Sequence, residues 1–166
     1  MYSKFVFSLP ELDGSQLIYE SEEVFNHFID HCFIEQGMIK QGVVKPAMKV
    51  MVYEIIRPTT FLKVFQELPG SWEEKWLSQH QVVTFCSLFP QALPPVDSFA
   101  LFLCKKDEHQ SINQQDLQQN LAIAMVEQTD VPGQDPGLSI LFLELKDFDV
   151  WFSPAKIRVM APEYSS

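Results

Sequence analysis

SFALFLCK at Ser98–Lys105, LAIAMVE at Leu121–Glu127 and LSILFLELK at Leu138–Lys146 are three short apolar runs spaced through the second half of the chain. Each is rich in β-branched or aromatic residues, or alternates in the two-residue rhythm of a strand. Between the last two lies Thr129 to Gly137 (TDVPGQDPG), dense in Pro, Gly and Asp, which reads as a hairpin connection. The even positions of the middle run are Ala122, Ala124 and Val126. That face is small and lets a helix approach closely. Ser111 to Gln119, in the polar linker before it, is expected to hold an exposed helical turn, because a structureless loop of that length is uncommon in a compact domain.

Upstream the rhythm changes. Lys4 to Leu9 reads as a strand. Ser21 then caps the clearest helical pattern, with Glu22 and Glu23 in its first turn and Gly37 as its stop. Val24, Phe25, Phe28, Ile29, Cys32 and Phe33 cover about half of that helix's circumference, a wide core-facing stripe. Ala47 to Arg57 (AMKVMVYEIIR) reads as a strand covered on both faces and ended by Pro58. Thr59 to Leu68 reads as a short helix closed by Pro69-Gly70.

Ser71-Trp72-Glu73-Glu74 has the capping-box spacing. Val82, Phe85, Cys86 and Phe89 continue at helical spacing, so one helix is expected from Trp72 to Phe89. The rival is a break near Gln79 followed by a strand. Beyond Asp147 the chain offers either a short helix after Ser153-Pro154, in a stretch holding Trp151 and Phe152, or a last edge strand at Ile157 to Met160.

Helices gather early and strands late, the α+β arrangement. The expectation is one domain over residues 1–166: a largely antiparallel sheet of four to six strands, with two or three helices packed on one face. At 166 residues, 46% hydrophobic with 14 Phe, the chain has material for a core without disulfide or metal.

The charge balance, 12 basic against 22 acidic residues, gives −10. Such a chain repels phosphate backbones and anionic membranes, so neither nucleic acid nor membrane is an expected partner. Cys32, Cys86 and Cys104 form no Cys-x-x-Cys pair and sit in apolar patterns, which suits reduced structural thiols and a cytoplasmic location. No Gly-x-Ser-x-Gly elbow, Walker A loop or Gly-x-Gly-x-x-Gly run is present, and no catalytic residue is assigned.

Three sets of residues remain as site candidates. On the expected first helix, Glu23, His27 and His31 recur every four residues, a spacing that can chelate a divalent metal. The plainer account of that stripe is a solvated helix face. His27 to His31 differs from the inverted zincin pattern in having Asp30 where Glu stands, so that family's chemistry is not carried over. Trp72 and Trp76, one turn apart, could line a pocket or an interface, with core packing as the plainer account. Glu144 shares a strand face with Ile140 and Phe142.

No cofactor is expected, and a divalent metal is the single candidate. The leading functional expectation is a small acidic interaction or accessory protein, immunity-like or chaperone-like, binding a protein partner of basic character. A homodimer is a further candidate assembly. The runner-up is a small-molecule-binding or enzymatic domain with an aromatic-lined pocket. A metal-dependent enzyme on the His pair ranks last.

Overall fold

The structure, a computed structural model, describes residues 2–130, 132–133, 136–146 and 157–165. Its centre is a seven-stranded sheet: β1 (Tyr2–Leu9), β2 (Phe28–Ile29), β3 (Met48–Glu54), β4 (Phe99–Lys105), β5 (Leu121–Thr129), β6 (Gly137–Glu144) and β7 (Ile157–Pro162), in the order β1-β3-β7-β4-β5-β6-β2. The apolar runs at Ser98–Lys105, Leu121–Glu127 and Leu138–Lys146 form β4, β5 and β6, an antiparallel meander. Its last hairpin closes from Thr129 to Gly137.

The sheet is larger than four to six strands, and it is mixed. β7 pairs parallel to β4 on that strand's far side, and β2 pairs parallel to β6. Both additions are non-local, and periodicity within a segment carries no information about which edge a strand joins. β7 is therefore interior, between β3 and β4, and not the edge strand expected from its position near the end. The Ser153-Pro154 helix expectation, together with Trp151 and Phe152, lies outside the described residues.

The helices cover both faces of the sheet. Strand register puts Ala100, Phe102 and Cys104 on one side with Ala122, Ala124 and Val126, and with Phe7, Val50, Val52 and Met160. Helix α3 (Gln79–Leu88) lies there, its Val82, Phe85 and Cys86 in the same buried cluster. The alanines leave room for its rings: Phe85 meets Phe102 edge-on at 5.7 Å and Phe7 at 5.6 Å. The opposite face, with Leu101, Leu103, Ile123 and Val159, packs against helix α2 (Phe61–Glu67) through Phe61, Val64 and Phe65. Two further helices, α1 (Cys32–Glu35) and α4 (Leu117–Asn120), are single turns. α4 overlaps the turn expected in the polar linker. Strand β3 is shorter than the expected 47–57. Val50 and Val52 are buried, but Met51 and Tyr53 on the α2 side are only half-buried.

Two expected helices are revised. From Ser21 to Gln36 there is no continuous helix: a turn follows Ser21, then β2, then α1. The bare edge of β6 captures this segment. His27 N donates to Leu138 O at 3.1 Å and Asp30 N to Ile140 O at 3.0 Å. Asn26 Oδ1 accepts from Leu138 N at 3.0 Å, while the Asp30 carboxylate accepts from Phe142 N at 3.0 Å and from Cys32 N at 2.9 Å. Asn and Asp side chains compete in this way with helical hydrogen bonding.

The expected helix from Trp72 to Phe89 is divided. Glu74 accepts from Ser71 N at 2.7 Å, but that box closes a single 3-10 turn, Trp72–Glu74. A second box at Ser78 and Gln81 starts α3, with Ser78 N donating to Gln81 Oε1 at 2.9 Å and Gln81 N to Ser78 Oγ at 3.0 Å. The rival strand over Val82–Leu88 does not form either.

Candidate functional site

Residues 5–39 contain seven carboxylates (Glu11, Asp13, Glu20, Glu22, Glu23, Asp30 and Glu35) and no Lys or Arg. The segment leaves β1 at Pro10 and crosses the α3 side of the sheet. Leu17, Ile18, Phe25 and Phe33 are buried beneath it. Backbone and side-chain bonds fix its path. Leu12 and Lys45 exchange two backbone hydrogen bonds at 3.0 and 2.8 Å. Gly14 N donates to His80 Nδ1 at 3.1 Å, and Ile18 N to Gln79 Oε1 at 3.0 Å, both acceptors on α3. Gly14 has φ of 80°, and a Cβ there would run into the backbone of Gly42 and Val43, so the crossing needs glycine at that point.

With Leu17, Ile18, Phe25 and Phe33 turned inward, the segment presents Glu11, Asp13, Glu20, Glu22 and Glu23 to solvent. Three open clefts run along it, about 360 Å³ at Glu11–Gln16 with His80, about 410 Å³ at Ser15–Val24 with Val83, and about 280 Å³ at Tyr19–Ile29. Phe28, 49% exposed on the edge strand β2, forms part of the last. The surface is thus acidic, grooved, and marked by one exposed aromatic ring.

The residues expected as a metal site fall within this surface but do not form the helical stripe. Glu23 lies in the turn after Ser21, His27 just before β2, and His31 at the start of α1. His31 Nδ1 is 3.2 Å from the Tyr19 hydroxyl, with the rings edge-on at 5.8 Å. Among the described residues no group of three or more His, Cys, Asp or Glu is placed to hold a metal ion. Residues four apart share a face only on a helix, and pairing with the β6 edge replaces the helix here.

Glu144 is on the α3 side of β6 and pairs with Lys106 Nζ at 3.1 Å. Trp72 is half-buried beneath the ammonium of Lys75, 4.7 Å from its ring. Trp76 is buried in the α2-side core, and two ammonium groups lie over its ring, Lys45 at 3.7 Å and Lys105 at 4.6 Å. Glu73 ties this cluster together. Its carboxylate accepts from Lys105 Nζ at 2.9 Å, Ile112 N at 3.0 Å and Trp76 Nε1 at 3.3 Å. Burial opposes ionisation of Glu73, but these donors outweigh it and hold its pKa below the ordinary carboxylate value.

Nearby, Glu108 accepts from Gln79 N at 2.9 Å and Val43 N at 3.2 Å. Burial dominates there, and its pKa is raised despite those bonds and the neighbouring Lys45. Cys86 and Cys104 are buried, which pushes both thiols well above their ordinary value. Cys32 is half-buried and raised first by its hydrogen bond to Asp30. None of the three thiols has the electropositive setting that makes a nucleophile.

Sequence reasoning singled out Trp76 and Glu23 but missed Lys45 and the acidic cover as a whole. The signal for the cover was visible as the gap of cationic residues between Lys4 and Lys40. Lys45 carries no motif, and only the fold places it against Trp76. Among the described residues no helix is long and apolar enough to cross a membrane. The chain matches no protein-family model, no curated protein and no solved structure to which it was compared.

Proposed function

We propose that this chain is an acidic interaction or accessory module that docks a basic protein segment onto the surface built by residues 11–29. The supporting observation is the concentration of exposed carboxylates, free of any Lys or Arg, along three consecutive clefts beside the exposed ring of Phe28. Complementary charge steers encounter and selects the partner, while a ring seated in the partner supplies binding energy. The field of −10 favours a cationic protein over nucleic acid or an anionic membrane. On this reading the protein works in the cytoplasm, needs no cofactor and has no catalytic residue.

The runner-up, a small-molecule domain with an enclosed aromatic pocket, has less support: the clefts described above are open grooves. Affinity capture from the native host at low and at high salt tests the reading. A stoichiometric basic partner retained at low salt and released at high salt is the expected result. Recovery of no stoichiometric partner contradicts it.

A further inference from the structure

A separate recess of about 200 Å³ lies where the segment after β7 passes the 3-10 turn at Trp72–Glu74. It shares no lining residue with the acidic clefts, and it is smaller than the roughly 300–1,000 Å³ of sites for drug-sized ligands. Trp76 and Met48 form its inner wall. Tyr164, 42% exposed, forms an outer wall, with its ring laid against Gly70 so closely that a Cβ there would sit 2.9 Å from Cδ2.

The charged groups on the wall are not equivalent. Glu73 is committed to Lys105, Ile112 and Trp76, and Glu74 to the backbone and hydroxyl of Ser71. Lys45 and Glu163 are different. Half-buried Lys45 rests its ammonium on the Trp76 ring, and that ammonium makes no hydrogen bond or ion pair with the described residues. The Glu163 carboxylate likewise makes none.

One small recess therefore offers one uncommitted cation, one uncommitted carboxylate and two aromatic walls. A simple anion would meet the carboxylates of the rim, and a simple cation would meet Lys45. A ligand carrying both charges satisfies each end.

We propose that this recess binds a small zwitterion of the amino-acid class, its carboxylate on Lys45 and its ammonium between Glu163 and the ring of Tyr164. Lys45 donates to the ligand carboxylate in a charge-assisted hydrogen bond, and Tyr164 faces the ammonium in a cation–π contact. Burial, then the nearby Lys105, lowers the pKa of Lys45, while Glu108 and Glu73 oppose the shift. A bound carboxylate supplies the direct ion pair that the ammonium does not make with the described residues.

The test titrates the full chain singly with each of the twenty protein amino acids, followed by ligand-observed NMR. Any binder is then compared with its decarboxylated amine and its deaminated acid. The expected result is binding of at least one amino acid, weakened at least about tenfold on removing either charge. Lys45→Met and Glu163→Gln are each expected to weaken it to a similar degree, while Lys40→Met leaves it unchanged. Because Lys45 is half-buried, the exposed Glu163→Gln variant decides the matter if Lys45→Met does not fold. Absence of binding by every amino acid at millimolar concentration overturns the proposal. So does an acid or amine that binds as tightly as the zwitterion, or full affinity in either site variant.

Discussion

At the scale of single residues, Asp30 determines how the acidic cover meets the sheet. One carboxylate oxygen holds Cys32 N and the other Phe142 N, joining α1 to β6. Burial works against its charge, yet those two N–H groups outweigh burial and depress its pKa. A carboxylate with a depressed folded-state pKa stabilises the fold above its unfolded value, and loses that contribution as pH falls through the folded value. Asp30→Asn keeps the shape but turns an amide donor toward one of the two N–H groups. It is expected to cost roughly 1–2 kcal/mol near neutral pH, with solvent screening holding the effect to that range. The difference should shrink at about pH 3, below the ordinary aspartate value of about 3.9, where the unfolded chain binds a proton that the folded carboxylate resists. Urea denaturation of both proteins at the two pH values checks this, and an equal difference at both contradicts it.

Among the elements, what was legible in the sequence was what each segment settles by itself. The β4–β5–β6 meander, its hairpin and α2 could be read because alternation, turn residues and capping act locally. The segment from Ser21 to Gln36 could not. Its apolar spacing is helical, and Phe25 and Phe33 are indeed buried, but the unpaired edge of β6 competes for its backbone and Asn26 and Asp30 side with the sheet. The metal expectation at Glu23, His27 and His31 depended on that helix.

The capping boxes make the same point in reverse. Ser71-x-x-Glu74 was readable but closes one exposed turn, whereas the buried Ser78–Gln81 box starts α3. Ser78→Ala is therefore expected to cost about 1–2 kcal/mol, and Ser71→Ala a smaller amount at the low end of the capping range. Shifts in denaturation midpoint at constant slope would show the order, and the reverse order would contradict the assignment.

For the whole molecule, two buried layers on opposite faces of one sheet leave the exposed carboxylates of residues 11–29 free for purposes other than packing. The cover buries Leu17, Ile18 and Phe25, yet five carboxylates and Phe28 face solvent. Charge segregation on this scale was present in the sequence, but its meaning depended on the fold bringing the segment to one surface. The uncommitted pair Lys45 and Glu163 is a property of the whole molecule too, because residues 118 apart in the chain line the same recess. The grooved acidic surface is tested directly by comparing partner retention by the wild-type chain with that by a Phe28→Ala, Glu22→Gln, Glu23→Gln variant of unchanged stability. A stoichiometric basic partner whose affinity falls by about 2 kcal/mol or more in the variant is the predicted result. Equal retention by both proteins would contradict it.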